Sequence, residues 1–193
     1  MKTSSQEKLR SHLKVGQIYR RGDLTQFSKA VDRDLMGLVK QGALEKIGAG
    51  LYYRPANSRF GALPPNDEAL VTRFLKDKNF LLYSWNQYNS LGLGLTQLYN
   101  RVVVYNHKRH GVFKLGNQKF EFRNFARGFP KKLTAEFLLV DLLNNLAQLA
   151  EDADWVRANI KQQLAKFDVK KVLKNSEEYG KIATQHFLKE ICH

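Results

Sequence analysis

Lys29, Arg33 and Lys40 recur along the run Lys29 to Gln41 at intervals that bring them together if the run is helical. On a 100° wheel with Leu35 at zero, Val31, Leu38 and Val39 fall within about 60°, while Lys29, Lys40 and Arg33 fall at about 120°, 140° and 160°. One face is apolar and the opposite face is basic. Such a face suits the major groove of a duplex, where Arg33 is the candidate for bidentate contact with guanine. Ser28, Lys29, Asp32 and Arg33 are the side chains expected nearest base edges or flanking phosphates. Arg20, Arg21 and Lys40 are expected to hold phosphates, and Lys46 with the tip Gly48-Ala49-Gly50 to touch the minor groove or backbone. Gly37, at about 200°, is expected on the outer face, where it would let the DNA backbone come close.

A second basic surface is expected at Lys108, Arg109, Lys114 and Lys119. Lys108 and Arg109 lie between His107 and His110, and their charge would oppose a divalent cation, so no metal site is expected there. This tip either touches phosphate or is a plain exposed turn, and solvation is the default reading for Lys114 and Lys119. Gly92-Leu93-Gly94 lacks the third glycine and preceding strand of a dinucleotide fingerprint. Neither a nucleophile elbow, a Walker-type loop nor His-Glu-x-x-His occurs, and Cys192 has no general base in view. No enzyme, metal or cofactor is expected.

The elements that must position these residues can be read from periodicity. Ser4 or Ser5 caps a first helix with Leu9 and Leu13 at helical spacing. A short second helix fits Arg21 to Phe27, a third fits Lys29 to Gln41, and Gly42 closes it. Residues 43 to 55 form a β-hairpin around Gly48-Ala49-Gly50. Helices followed by a small hairpin within about 55 residues is the order of a winged helix-turn-helix. That fold also serves protein contacts. Phe60 to Asn66, with Gly61, Pro64 and Pro65, is the expected linker. The expected domains are 1–60, a winged helix-turn-helix, and 66–193.

The second domain starts with a helix, Asp67 to Lys78, then a strand at Phe80 to Tyr83 and a Ser84-capped helix from Trp85 to about Leu91. Arg101 to Tyr105, Gly111 to Leu115 and Gln118 to Asn124 read as strands, with Gly116-Asn117 a two-residue hairpin turn. That turn sets Phe113 opposite Phe120 and Lys114 opposite Lys119. The remainder reads as helices at Thr134 to Ala150, Asp154 to Phe167 and Glu177 to Ile191, with a short turn at Val169 to Leu173. Asp141 gives the first of these a mixed face. The acidic clusters Glu151-Asp152-Asp154 and Glu177-Glu178 are read as helix starts. The fold class is thus α+β: an N-terminal winged helix-turn-helix, a mixed α/β domain and a C-terminal helical region.

Charge points the same way. Of the net +14 over 193 residues, residues 1–60 carry +7, 61–130 carry +6 and 131–193 only +1. An excess concentrated in the first two-thirds favours a directed polyanion contact, with double-stranded DNA the leading partner and an inert basic surface the competitor. The start of the chain lacks an apolar leader, the longest apolar stretches are short, and a single cysteine forms no internal disulfide. A cytoplasmic protein without membrane contact is expected.

The run from Val31 to Tyr52, with Leu38-Val39-Lys40-Gln41-Gly42-Ala43-Leu44 and the wing end Gly50-Leu51-Tyr52, resembles the N-terminal winged helix of AbiEi-type antitoxins. Ser84-Trp85-Asn86-Gln87-Tyr88-Asn89-Ser90-Leu91-Gly92-Leu93, followed by Leu98 to Asn106, resembles that family's middle segment, departing from it at Trp85 to Tyr88. The resemblance covers roughly residues 5 to 125. It implies a regulator that represses its own operon at an operator with inverted repeats. It also implies that the second domain counters a nucleotidyltransferase-type toxin encoded beside it, without requiring a stable complex. The alternative is a stand-alone transcriptional regulator whose C-terminal region binds a partner or dimerises. Operator sequence and oligomeric state are left open.

Overall fold

The computed structural model describes residues 4–125 and 128–192. Over the described residues the chain is mixed α/β, 47% helix and 20% strand, with a helical C-terminal region. It divides into two compact units: the described residues up to Lys78 together with Phe113–Lys119, and Asn79–Val112 together with the described residues from Phe120 onward.

The first unit opens with helix α1, Ser5–His12, which Ser4 and Glu7 start reciprocally: the Ser4 hydroxyl accepts from Glu7 N and the Glu7 carboxylate from Ser4 N. Strand β1, Ile18–Arg20, follows, then helices α2, Arg21–Leu24, and α3, Val31–Lys40. Strands β2, Glu45–Gly48, and β3, Leu51–Tyr53, complete an antiparallel sheet of order β1-β3-β2. Leu9, Leu13, Leu24, Val31, Leu35, Leu38, Leu44 and Tyr52 form the core. Helix α2 is shorter than the predicted Arg21 to Phe27, because Phe27 lies beyond it and stacks on His12 at 4.0 Å.

The stretch predicted to be a linker is structured. Strand β4, Ala56–Ser58, pairs with β5, Gly61–Leu63, and helix α4, Asp67–Leu75, capped by Asn66, belongs to the first unit. The reading of 60–66 as a boundary rested on its glycine and prolines. These residues reverse or end strands rather than separate domains: Gly61 turns the β4–β5 hairpin at φ +112°, and Pro64-Pro65 stops β5 before α4.

Buried Asp34 of α3 ties this unit together. Its carboxylate accepts from the hydroxyls of Ser5 in α1 and Ser28 before α3. The hydroxyl of Ser5, then that of Ser28, holds the Asp34 carboxyl below its usual range. A depressed folded-state value contributes stability above the unfolded value of about 3.9, and that stability is lost as pH falls through the folded value. Asp34→Ala should therefore cost about 1–3 kcal/mol at neutral pH, with the difference from wild type shrinking in acid. Urea unfolding at the two pH values checks this, and a pH-independent difference would contradict it.

In the second unit, strands β6, Leu81–Ser84, β7, Val102–Asn106, β8, Gly111–Leu115, and β9, Gln118–Asn124, form a sheet of order β6-β7-β9-β8. Its β8–β9 end also contributes to the first unit. The Gly116-Asn117 turn reverses β8 into β9, and β9 then lies parallel to β7, with Val102 beside Phe120 and Val104 beside Phe122. The segment Trp85–Leu91 is a 3₁₀ helix rather than an α-helix, started by Ser84.

Helices α5, Ala135–Asn145, α6, Ala153–Gln163, α7, Val169–Tyr179, and α8, Ile182–Cys192, complete the chain. The Val169 to Leu173 segment, read as a short turn, is the start of an 11-residue helix. Glu177 and Glu178 consequently lie at the end of α7, not at a helix start; Asp152 does cap α6. The break falls at Gly180, where a Cβ would meet the Ser176 carbonyl oxygen at 2.4 Å. Buried Asn144 secures it: Asn144 Oδ1 accepts from Lys181 N and the Thr184 hydroxyl, and Asn144 Nδ2 donates to the Tyr179 carbonyl. One side chain thus bonds the last residue of α7, the residue before α8 and a hydroxyl in the first turn of α8.

Candidate nucleic-acid interface

Helix α3 buries Val31, Asp34, Leu35 and Leu38 and exposes Asp32, Arg33, Met36 and Lys40, while Lys29 is exposed just before it. Arg33 is 76% exposed at its side chain and makes an ion pair of 3.5 Å with Asp34. Met36, 60% exposed, stands between Arg33 and Lys40 on this face. Sequence reasoning passed it over. Its signal was an apolar residue outside the buried stripe, and an apolar side chain there can meet a thymine methyl.

Several expected contacts are engaged within the protein. The Arg21 guanidinium forks onto Asp32, Nε to Oδ1 and Nη2 to Oδ2, both at 2.6 Å. This joins α2 to the first turn of α3 and draws the Asp32 carboxyl down through the hydrogen bond from Arg21. Arg20 donates to the carbonyls of Arg73 and Phe74 at the end of α4, supplying partners to carbonyls that the helix leaves open. Ser28 is buried, and its hydroxyl, bonded to Asp34 and accepting from Ala30 N, is not on the outer face. Arg20 and Ser28 thus stabilise the unit that carries the face.

Gly37 also has a different reason from the one expected. It faces α1, where a Cβ would come within 2.6 Å of Gln6 Nε2. The atom met is the end of a flexible side chain on α1, so Gly37 lies against α1 and not open on the outer face.

Lys46 is exposed on β2. The β2–β3 turn is held at both sides: Arg21 N donates to the Gly50 carbonyl at 2.8 Å, and Gly116 N to the Ile47 carbonyl at 2.6 Å. Leu115 lies 3.2 Å from where a Gly48 Cβ would stand, so glycine leaves room for the β8–β9 tip. Phe113 on that tip packs on Phe74 of α4, ring centroids 5.1 Å apart. Lys114 and Lys119, both exposed, consequently belong to the same unit as α3 and β2. Lys108 and Arg109 belong to the other unit, in a loop whose backbone amides at 108 and 109 donate to buried Asn106 Oδ1. The four residues of the second basic surface are therefore divided between units.

No family model and no curated protein matches this chain. Its structure is similar to the crystal structure of the RV2827C protein from Mycobacterium tuberculosis. The TM-score is 0.59 at 15% sequence identity, over 98% of this chain and 76% of that chain. The likeness is one of fold. Among the described residues, no group of His, Cys, Asp and Glu could hold a metal ion, and no helix is long and apolar enough to cross a membrane.

The second unit holds a polar cluster that sequence reasoning missed. Asp141 of α5 accepts from the hydroxyls of Tyr83 on β6, Tyr88 in the 3₁₀ helix and Tyr105 on β7, the latter two at 2.6 Å. Asn145 Nδ2 donates to the Tyr88 hydroxyl, and Arg123 Nη1 donates to Asn145 Oδ1. Arg123 also bonds Glu121 and lies 5.2 Å over the Trp85 ring. Trp85 and Tyr88, where the middle segment departs from the AbiEi pattern, both serve this cluster. Asp141 and the three tyrosines are buried among apolar side chains, so their polar atoms satisfy one another. The available signal was an aspartate after four consecutive apolar residues, Phe137 to Val140.

Proposed function

We propose that the first unit is a winged helix-turn-helix that binds double-stranded DNA, with α3 in the major groove and the β2–β3 turn as the wing. The observation that carries this reading is the outer face of α3. Lys29, Arg33, Met36 and Lys40 are all exposed there, on a helix held by its apolar face to α1 and by the Arg21–Asp32 fork to α2. The order α1-β1-α2-α3-β2-β3 supports it. Arg33 and Lys29 read bases, Lys40 and Lys46 hold phosphates, and Lys114 and Lys119 extend the basic surface beside the wing. Arg20, Arg21 and Ser28 act by positioning.

With the AbiEi resemblance, the fuller reading is an antitoxin that represses its own operon and counteracts a nucleotidyltransferase-type toxin through its second unit. Two measurements test it. Fluorescence anisotropy of the full chain on duplex DNA over a salt series should show Lys40→Ala weakening all sequences alike and lowering the salt slope by about one. An unchanged slope would remove Lys40 from the phosphate contacts. Co-expression with a neighbouring growth-arresting nucleotidyltransferase should restore growth, and Arg33→Ala should retain that rescue while losing repression. Absence of rescue would leave the DNA-binding regulator alone.

A further inference from the structure

The β4–β5 hairpin is a separate device on the first unit. Its two strands pair Ala56 with Leu63, Asn57 with Ala62 and Ser58 with Gly61, leaving Arg59-Phe60 as the tip. Phe60 is 86% exposed, and the Arg59 guanidinium lies 4.8 Å over its ring. The tip is built to hold that position. Phe60 N donates to the Ser58 hydroxyl at 3.1 Å, that hydroxyl donates to the Gly61 carbonyl at 3.0 Å, and Gly61 takes a φ of +112° that side chains rarely adopt. Buried Tyr53 anchors the base by donating to the Leu63 carbonyl.

An isolated two-stranded hairpin is marginal in water, and presenting a phenylalanine at its end gains nothing for the core. Ordering it therefore suggests a partner. The electrostatics choose which: between Glu45 and Asp67 the chain has no acidic residue and carries Lys46, Arg54 and Arg59. A groove at the hairpin base, lined by Arg10, Gln41, Arg54 and Asn57 with Glu45 as its one acidic residue, runs to Gln41 just past the C-terminal end of α3. A symmetric contact with a second copy would bring Arg59 against Arg59, which is unfavourable. An aromatic wedge beside an arginine is what minor-groove contact uses.

We infer that Arg59 and Phe60 form a further DNA-contacting element, with Phe60 wedging at a base step in the minor groove next to the segment read by α3 and Arg59 on the adjoining phosphates. This rests on the DNA-binding reading above. The test uses the full chain and a duplex selected by the wild type from a randomised pool, with affinity read by anisotropy and bending by energy transfer between end labels. Phe60→Ala should weaken binding about tenfold and reduce bending at an unchanged salt slope, while Phe60→Leu retains most of both. Arg59→Ala should lower the slope by about one. Wild-type affinity and bending in Phe60→Ala would overturn the inference and leave the α3 interface standing. Failure of the wild type to bind any duplex would overturn both. A wild-type dimer that Phe60→Ala converts to monomer in sedimentation would make a second copy the occupant and overturn the DNA contact. Thermal melting of each variant confirms that the fold is retained.

Discussion

Replacing Asp141 by alanine should destabilise the second unit by about 3–5 kcal/mol, a large part of a typical domain's stability, because it leaves the hydroxyls of Tyr83, Tyr88 and Tyr105 buried without their acceptor. Asp141→Asn keeps an acceptor oxygen and should cost less. Chemical denaturation followed by tryptophan fluorescence reads the change through Trp85, which lies under Arg123 in the same cluster. Equal stability of the alanine variant would mean that the tyrosines find other partners. The same cluster predicts a response to base. Burial, and after it the charge of Asp141, pushes all three tyrosine hydroxyls well above their ordinary value. A folded-state value raised above the unfolded one, about 10, gives stability that is present below about pH 10 and is lost as pH rises further. Tyr105→Phe should flatten that loss.

Arg33→Ala should weaken binding to the preferred duplex by about 1–3 kcal/mol and relax discrimination at one base pair, with little effect on unrelated sequences. Its guanidinium is exposed and its ion pair to Asp34 is long at 3.5 Å, so folding should be nearly unaffected. Competition gel shifts against single-base variants check this. Uniform weakening across all sequences would make Arg33 a phosphate contact instead. The contrast with Lys40→Ala matters because the two residues share one face and differ in what they are expected to touch.

Helix α3 shows how far local pattern reaches. Its apolar stripe and basic face were legible because a helix repeats its direction every 3.6 residues, whatever surrounds it. The sequence also announced a cap at Ser4 or Ser5, which the structure resolves to Ser4, the Gly116-Asn117 turn and the span of β8 and β9, all of which depend on residues within a few positions of one another. What a polar side chain on such an element bonds to was another matter. Ser28, Arg20 and Gly37 carry the right types for DNA contact, yet Asp34, the end of α4 and Gln6 of α1 occupy them.

The polar centre of the second unit lay further beyond local reading. Tyr83, Tyr88 and Tyr105 stand 58, 53 and 36 residues from Asp141. No period links them, and Asp141 alone looked like an interruption in an apolar face. The parallel pairing of β7 with β9 and the helix break secured by Asn144 have the same character. Periodicity and turn chemistry, which act along the chain, determined the elements and the distribution of charge. Hydrogen-bond satisfaction in the packed interior, which acts across the chain, decided which of those charged and polar groups remain available to a partner.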